Sequence, residues 1–108
     1  MATGEQLRSM ALALPDTVAC PHFDRTAFKV KRTYVTLAPD GLTANFKFTP
    51  DEQAFKCLLA LECFAPVPGG WGAQGWTCAT LGPMSVAELR AALEIAHAHA
   101  LPVKKPKR

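Results

Sequence analysis

The most informative segment of the chain is V-P-G-G-W-G-A-Q-G-W-T-C-A-T-L, residues 67–81, which holds both tryptophans and four of the seven glycines. Glycine adopts the positive φ angles of tight turns and lets two backbones approach closely. The first part of the stretch therefore predicts a folded-over loop, and the part from Gly75 onward predicts a strand. Because successive strand side chains point to opposite faces, we expect Trp76, Cys78 and Thr80 on one face and Thr77, Ala79 and Leu81 on the other.

The sequence leaves two interpretations of the tryptophans open. Trp71 and Trp76 carry the largest apolar surfaces in the chain, and each has an indole N–H that needs a partner when it is buried. In the first interpretation, one or both side chains pin the loop to the core. In the second, Trp71 lies between glycines at the loop tip and contacts a ligand.

The composition is that of a soluble globular protein, with 108 residues of which 49% are hydrophobic and 19% are charged. This length predicts one domain, residues 1–102, followed by a basic tail, residues 103–108, which we expect to be disordered. The apolar runs are shorter than the roughly 18 residues that a membrane span needs, and we recognise no secretion signal. We therefore expect a cytoplasmic protein without a membrane partner.

The cysteines and histidines do not form a metal-ligand pattern. No pair of cysteines has C-x-x-C spacing, and the histidines do not complete a ligand set with them. We predict four reduced thiols, no disulfide, no bound metal and no cofactor. The residues concerned are Cys20, Cys57, Cys63, Cys78, His22, His97 and His99.

Upstream of residues 67–81, the pattern predicts one helix and a three-stranded meander. Thr3 and Gln6 form a capping box for a helix from Gly4 to Leu14, and residues 15–24 are expected to form a connecting loop. Alternating apolar and basic residues predict a β-hairpin over residues 25–37 with one basic face. After a turn at residues 39–41, the next strand spans residues 42–48, with its core face formed by Leu42, Ala44, Phe46 and Phe48.

Two more capping boxes predict the remaining helices. Thr49 and Glu52 begin a helix that is expected to end near Leu61, and Ser85 and Glu88 begin a helix over residues 86–100. The first of these should bury Phe55, Leu58 and Leu59, and the second should bury Leu89, Leu93 and Ala96. The fold class predicted from these patterns is α+β, with three main helices and an antiparallel sheet of at least four strands.

Several motifs in this order resemble the MmcQ/YjbR-like family. They are Leu14-Pro15, Ala27-Phe28-Lys29-Val30, Thr49-Pro50-Asp51-Glu52-Gln53-Ala54 and Pro66-Val67-Pro68…Trp71-Gly72…Gly75-Trp76-Thr77. The resemblance implies a frataxin-like fold, in which helices pack on one face of a twisted antiparallel sheet. It also implies two projecting hairpins, a double wing, for which a DNA-binding role has been suggested. The chain departs from the family at Lys31-Arg32, where many relatives have glycine in the hairpin turn.

The charge distribution favours a nucleic-acid-binding module as the leading hypothesis. The net charge is +3, and residues 25–47 carry five cations against one acid. Lysine and arginine neutralise phosphates, and Trp71 could stack on an exposed base. The predicted binding residues are Arg25, Lys29, Lys31, Arg32, Lys47, Trp71, Lys104, Lys105, Lys107 and Arg108.

A protein-interaction or small-ligand module that uses the loop around Trp71 is the alternative. An enzyme is not predicted, because the sequence shows no nucleophile–base pair and no phosphate-cradling motif. DNA and another protein are therefore both open as partners. We expect the chain to be a monomer.

Overall fold

The protein is an α+β domain, as the sequence predicted, in a computed structural model that describes residues 2–101. The predicted tail, including Lys104, Lys105, Lys107 and Arg108, lies outside the described residues. Within residues 2–101, no helix is both long and apolar enough to cross a membrane. The elements in chain order are α1 (Gly4–Ala13), β1 (Val18–His22), β2 (Arg25–Lys29), β3 (Thr33–Leu37), β4 (Thr43–Lys47), α2 (Pro50–Leu59), β5 (Phe64–Pro66), α3 (Gly70–Ala73), β6 (Trp76–Thr80) and α4 (Val86–Ala100).

The six strands form one sheet in the order β1-β2-β3-β4-β6-β5. Every neighbouring pair is antiparallel. The strands β1 to β4 follow one another as a meander, and β6 is inserted between β4 and β5. Strand β6, which lies within residues 67–81, forms a hairpin with β5 and also pairs with β4. It therefore has a strand on each side.

One face of the sheet is the core face. Phe28, Val35 and Phe46 are paired across three strands, and all three are fully buried. The helix α1 lies on this side, since the Arg8 guanidinium lies 5.7 Å from the centre of the Phe28 ring. The helix α4 contacts β3 and β4 as well as α1. Burial of one apolar face by two amphipathic helices is what holds the domain together.

Three capping boxes begin the three long helices, as predicted. The backbone N–H of Gln6, Glu52 and Glu88 each donates to the hydroxyl at its helix N-cap, Thr3, Thr49 and Ser85 respectively. The reciprocal bonds from the N-cap N–H to the Gln6, Glu52 and Glu88 side chains are also present. Because these bonds connect residues three apart, their geometry depends little on the rest of the chain.

Residues 15–24 do not form the predicted connecting loop, because they contain the strand β1. The predicted three-stranded meander is therefore four-stranded. Strand β1 lies at the sheet edge, and only Cys20 is partly covered among its five residues. An edge strand exposed on both sides lacks the alternation of apolar and polar residues that identifies a strand. Pro21 also argued against a strand in this segment, although proline is tolerated at a sheet edge.

The predicted burial in helix α2 and at Leu42 was wrong. Helix α2 ends at Leu59 and buries no residue completely, and Phe55, Leu58 and Leu59 are exposed. Its other side contacts β5 instead, where the Lys56 ammonium lies 5.8 Å from the centre of the Phe64 ring. The apolar stripe predicts a helix, but it does not determine which side of that helix the sheet covers. Leu42 is exposed because it precedes β4, next to the turn where the sheet ends.

Residues 67–81 combine a correct prediction with an unpredicted element. In β6, Thr77 and Ala79 are fully buried and Leu81 follows them into the core, whereas Trp76, Cys78 and Thr80 are not buried, so the predicted alternation is confirmed. The loop before this strand contains the short helix α3, a fourth helix beside the three predicted ones.

Candidate functional site

The second face of the sheet carries a row of small or polar residues. Residues that are directly opposite in an antiparallel pair point to the same side. The row therefore runs across all six strands on the side opposite the core face. Its members are Cys20, Ala27, Thr36, Asn45, Cys78 and Ala65.

A cleft of about 600 Å³ opens on this second face, and we call it the open-face cleft. Its size lies within the range of about 300–1,000 Å³ that is typical of small-ligand sites. It brings together residues from β1, β2, β3, β4, the β5–β6 connection and β6. The lining residues are His22, Phe23, Asp24, Arg25, Thr33, Thr36, Asn45, Val67, Trp71 and Trp76.

Arg25 is a fixed cation in the open-face cleft. Its Nε donates to the Thr36 hydroxyl at 2.9 Å, and its Nη2 donates to the Thr36 carbonyl oxygen at 3.2 Å. These bonds use two of the five N–H donors of a guanidinium. Among residues 2–101, the one salt bridge joins His99 and Glu52, so Arg25 has no carboxylate partner there. A guanidinium that is held in place and unpaired is well suited to bind a phosphate or carboxylate.

Trp71 is exposed at one side of the cleft. It lies in α3, and 63% of its surface is accessible. The backbone around it is nevertheless tightly held, because the Gln53 side-chain amide donates to the carbonyl oxygens of Gly72 and Trp76 at 3.0 and 2.9 Å. The exposure contradicts the interpretation of Trp71 as a core pin. A large ring presented on a fixed backbone agrees with the interpretation of Trp71 as a contact residue.

Phe23 is a cleft residue that the sequence analysis missed. It lies in the turn between β1 and β2, has a φ of 57°, and is 94% exposed. Its ring makes an edge-on contact with His22, with 5.0 Å between the ring centres. A single aromatic residue inside a segment predicted to be a loop does not indicate a binding site. The hairpin that places it beside the cleft was not predicted.

The predicted basic residues do not form one cluster. Arg25 lines the cleft, Lys29 is half-buried on the same face, and Lys31 is exposed in the β2–β3 turn. Arg32 instead donates from its Nη2 to the carbonyl oxygen of His99 in α4, at 3.1 Å. The Lys47 ammonium donates to the carbonyl oxygens of Gln74 and Phe48, at 2.7 and 3.4 Å. Arg32 and Lys47 therefore hold elements together in addition to carrying charge.

His22 and Asp24 are the other titratable residues that line the open-face cleft. All four thiols are free, and burial raises the pKa of the Cys57 and Cys63 thiols. Burial also raises the pKa of the Tyr34 phenol, partly offset by its hydrogen bond with Thr17. Within residues 2–101, no group of three or more His, Cys, Asp or Glu side chains is placed to hold a metal ion.

Comparison with known proteins gives similarity in structure but not in sequence. No protein-family model matches the chain, and no curated protein matches it. The crystal structure of protein DR2400 from Deinococcus radiodurans, described as a DUF419 domain, has a TM-score of 0.75 at 22% identity, covering 89% of this chain and 76% of that chain. A crystal structure of a protein from Pseudomonas syringae has a TM-score of 0.64 at 12% identity, covering 90% of this chain and 97% of that chain. At these identities, the comparisons show that the fold is shared.

Proposed function

We propose that this chain is a cytoplasmic, non-catalytic module that binds single-stranded nucleic acid in the open-face cleft. The observation that carries the proposal is the combination of a fixed, unpaired Arg25 with the exposed rings of Trp71 and Phe23 in one cleft. Proteins that bind single strands combine a positively charged groove for the backbone with aromatic side chains on which bases stack.

A single strand suits the cleft better than a duplex does. In a duplex, the faces of the bases are already stacked on one another, so Trp71 and Phe23 would have no ring to contact. A single strand offers each base for stacking, which contributes about 1–3 kcal/mol per base. The floor of the cleft offers polar side chains, Thr36 and Asn45, toward base edges or sugars. Asn45 makes no side-chain hydrogen bond within residues 2–101, so its amide is available to a ligand.

The basic residues contribute attraction to the phosphates. Lys29 lies on the cleft-bearing face at the end of β2 and Lys31 is exposed in the turn that follows, and they add to the charge of Arg25. Arg32 and Lys47 add charge but already donate to carbonyl oxygens. We include the C-terminal cations Lys104, Lys105, Lys107 and Arg108 as a source of non-specific attraction. With so few phosphates neutralised, we expect affinity on the order of 10⁻⁴–10⁻⁶ M at physiological salt.

We also infer that the chain is a member of the MmcQ/YjbR-like family. The inference rests on the ordered series of motifs from Leu14-Pro15 to Gly75-Trp76-Thr77. The fold shared with the two bacterial structures supports it. The β1–β2 and β2–β3 hairpins adjoin each other at one edge of the sheet, and we assign the double wing to them.

Fluorescence anisotropy with labelled oligonucleotides tests the proposed function. We expect an oligonucleotide of about 10 nucleotides to bind more tightly as a single strand than as a duplex. Trp71→Ala should weaken single-strand binding by about 1–3 kcal/mol, with no loss of thermal stability, because the ring is exposed. Affinity should fall steeply between about 50 and 200 mM salt, and the double substitution Lys29→Ala/Lys31→Ala should flatten that dependence.

Lys56→Ala is the matched control for the lysine substitutions, because the Lys56 ammonium lies over the Phe64 ring on the core side of the sheet, whereas Lys29 lies on the face that carries the cleft. We expect it to leave both affinity and salt dependence unchanged. Tighter binding of duplex than of single strand, or no binding to either at about 50 mM salt, would refute the proposed function. Binding of a mononucleotide as tight as that of the oligonucleotide would indicate the small-ligand alternative instead.

A further inference from the structure

Phe23 occupies a backbone conformation that does not suit phenylalanine. Its φ of 57° lies in the left-handed region, which glycine and asparagine enter readily and bulky residues rarely occupy. Two-residue connections between antiparallel strands such as β1 and β2 favour glycine or asparagine for this reason. A phenylalanine at this position therefore carries a conformational cost that either of those residues would remove.

The Phe23 ring gains nothing from the core to offset that cost. It is 94% exposed, and its one aromatic contact within residues 2–101 is the edge of His22, which is itself exposed. Neither turn formation nor burial thus explains the residue. Strained residues tend to persist at binding sites, where the strained position serves the ligand.

The position of Phe23 in the fold places its ring in the open-face cleft. The β1–β2 turn belongs to one edge of the sheet, and Trp71 comes from the β5–β6 connection at the other edge. Both rings line the open-face cleft, with Thr36 of β3 and Asn45 of β4 between them. Strands β2 and β6 are three strand spacings apart, about 14 Å. The register places the β1–β2 turn and the β5–β6 connection at opposite ends of the strands, so the cleft runs diagonally across the sheet from one ring to the other.

We propose that Phe23 and Trp71 stack unpaired nucleobases at the two ends of the open-face cleft, with the β1–β2 hairpin as the clamp at one end. The proposal rests on the proposed function and names the part of the nucleic acid that the cleft takes. Arg25 lies two residues after Phe23 and holds its guanidinium on Thr36. It is therefore placed to bind a phosphate adjoining the stacked base. The unpartnered Asn45 amide on the floor offers a donor and an acceptor to the edge of the base.

Substitutions that relieve the strain test the clamp, because stability and binding should respond in opposite directions. Phe23→Gly and Phe23→Asn should leave Tm equal to or above that of the wild type, since both residues accept the left-handed conformation. Both should weaken binding of the single-stranded oligonucleotide about 5- to 100-fold, which is one lost stacking contact. Phe23→Trp keeps a ring at the tip and should retain binding to within about 3-fold.

Phe55→Ala is the matched control, since it removes another exposed phenylalanine that does not line the cleft. We expect it to leave affinity unchanged. The clamp is overturned if Phe23→Gly binds as the wild type does while Trp71→Ala does not, an outcome that leaves the proposed function intact. The clamp is also overturned if Phe23→Gly and Phe23→Asn each lose about 4 °C or more in Tm together with affinity, since the Phe23 side chain would then stabilise the fold. Absence of wild-type binding would instead refute the proposed function itself.

Discussion

Replacing Gly72 by alanine should destabilise the protein strongly, because the chain folds back on itself at that residue. A Cβ added at Gly72 would lie 1.9 Å from the carbonyl oxygen of Val67. An ordinary van der Waals contact begins at 3.4 Å, so one of the two backbone segments has to move by about 1.5 Å. Neither segment is free to do so. The Val67 N–H donates to the Trp76 carbonyl oxygen at 3.0 Å, and the Gly72 carbonyl oxygen accepts from Gln53 at 3.0 Å.

The magnitude follows from these contacts. Forcing an extra carbon into a packed site costs about 1–3 kcal/mol, and each hydrogen bond lost through the movement costs about 0.5–1.5 kcal/mol. With one or two bonds lost, the free energy of unfolding falls by about 2–5 kcal/mol. A domain of this size has a total of about 5–15 kcal/mol. Since 1 kcal/mol corresponds to at least about 4 °C, we expect Tm to fall by about 8 °C or more.

Thermal and urea unfolding followed by circular dichroism measure this effect, with Gly70→Ala as the control. Gly70 belongs to the same short helix, and a Cβ added there meets no atom within 4 Å. Its φ is not in the positive range. Gly70→Ala should therefore be neutral, or stabilising by about 0.4–1 kcal/mol. If the Tm of Gly72→Ala lies within about 2 °C of that of Gly70→Ala, then the close approach of Val67 and Gly72 is not what holds the loop.

Two further predictions concern titratable groups outside the cleft. Burial acts to raise the pKa of Glu52, but the hydrogen bonds from Thr49 and the contact with His99 at 2.8 Å lower the pKa overall. The folded chain therefore binds fewer protons there than the unfolded chain does, and this stability is lost as pH falls through the folded-state pKa. Glu52→Gln should make Tm less sensitive to pH between about pH 3 and pH 6, and an unchanged slope would contradict this assignment. Cys63 is 4% exposed, and burial, followed by the charges of Glu88 and Glu62, raises its thiol pKa. It should be alkylated more slowly than Cys20 in the native protein and equally fast in denaturant, as measured by peptide mass spectrometry; equal native rates would count against this burial.

Local signals were enough for much of the fold. The capping boxes at Thr3, Thr49 and Ser85 were confirmed because each consists of residues three positions apart. The alternation through β6 was confirmed because a central strand has one side buried under helices and the other side partly open. In both cases the deciding interactions lie within a few residues, so the sequence pattern already contains them.

Elements whose environment comes from distant parts of the chain were predicted poorly. Strand β1 has no alternation to find, because its edge position leaves both sides exposed. The stripe of Phe55, Leu58 and Leu59 was correctly assigned to a helix and wrongly assigned to the core. An apolar stripe is a property of the helix alone, whereas its burial depends on where the sheet lies.

The candidate site shows the same division. The cations and Trp71 could be named from the sequence, because charge and ring size belong to single residues. Their grouping could not be named, since the partners of Arg32, Lys47 and Arg25 are 67, 27 and 11 positions away in the chain. Strand pairing places Arg25 beside Thr36 in the cleft, and the packing of α4 places the His99 carbonyl oxygen within reach of Arg32.

The three long helices, the β6 strand, the tight loop that precedes it and the excess of basic residues before α2 all follow from sequence patterns. Only folding of the whole chain exposes Trp71 to solvent, gives Phe23 a left-handed turn in the same cleft, and places the unpaired Arg25 guanidinium in that cleft. The physical reason is the range of the interactions. Caps, turns and alternation depend on neighbours in the chain, whereas a cleft depends on which strands pair across the sheet.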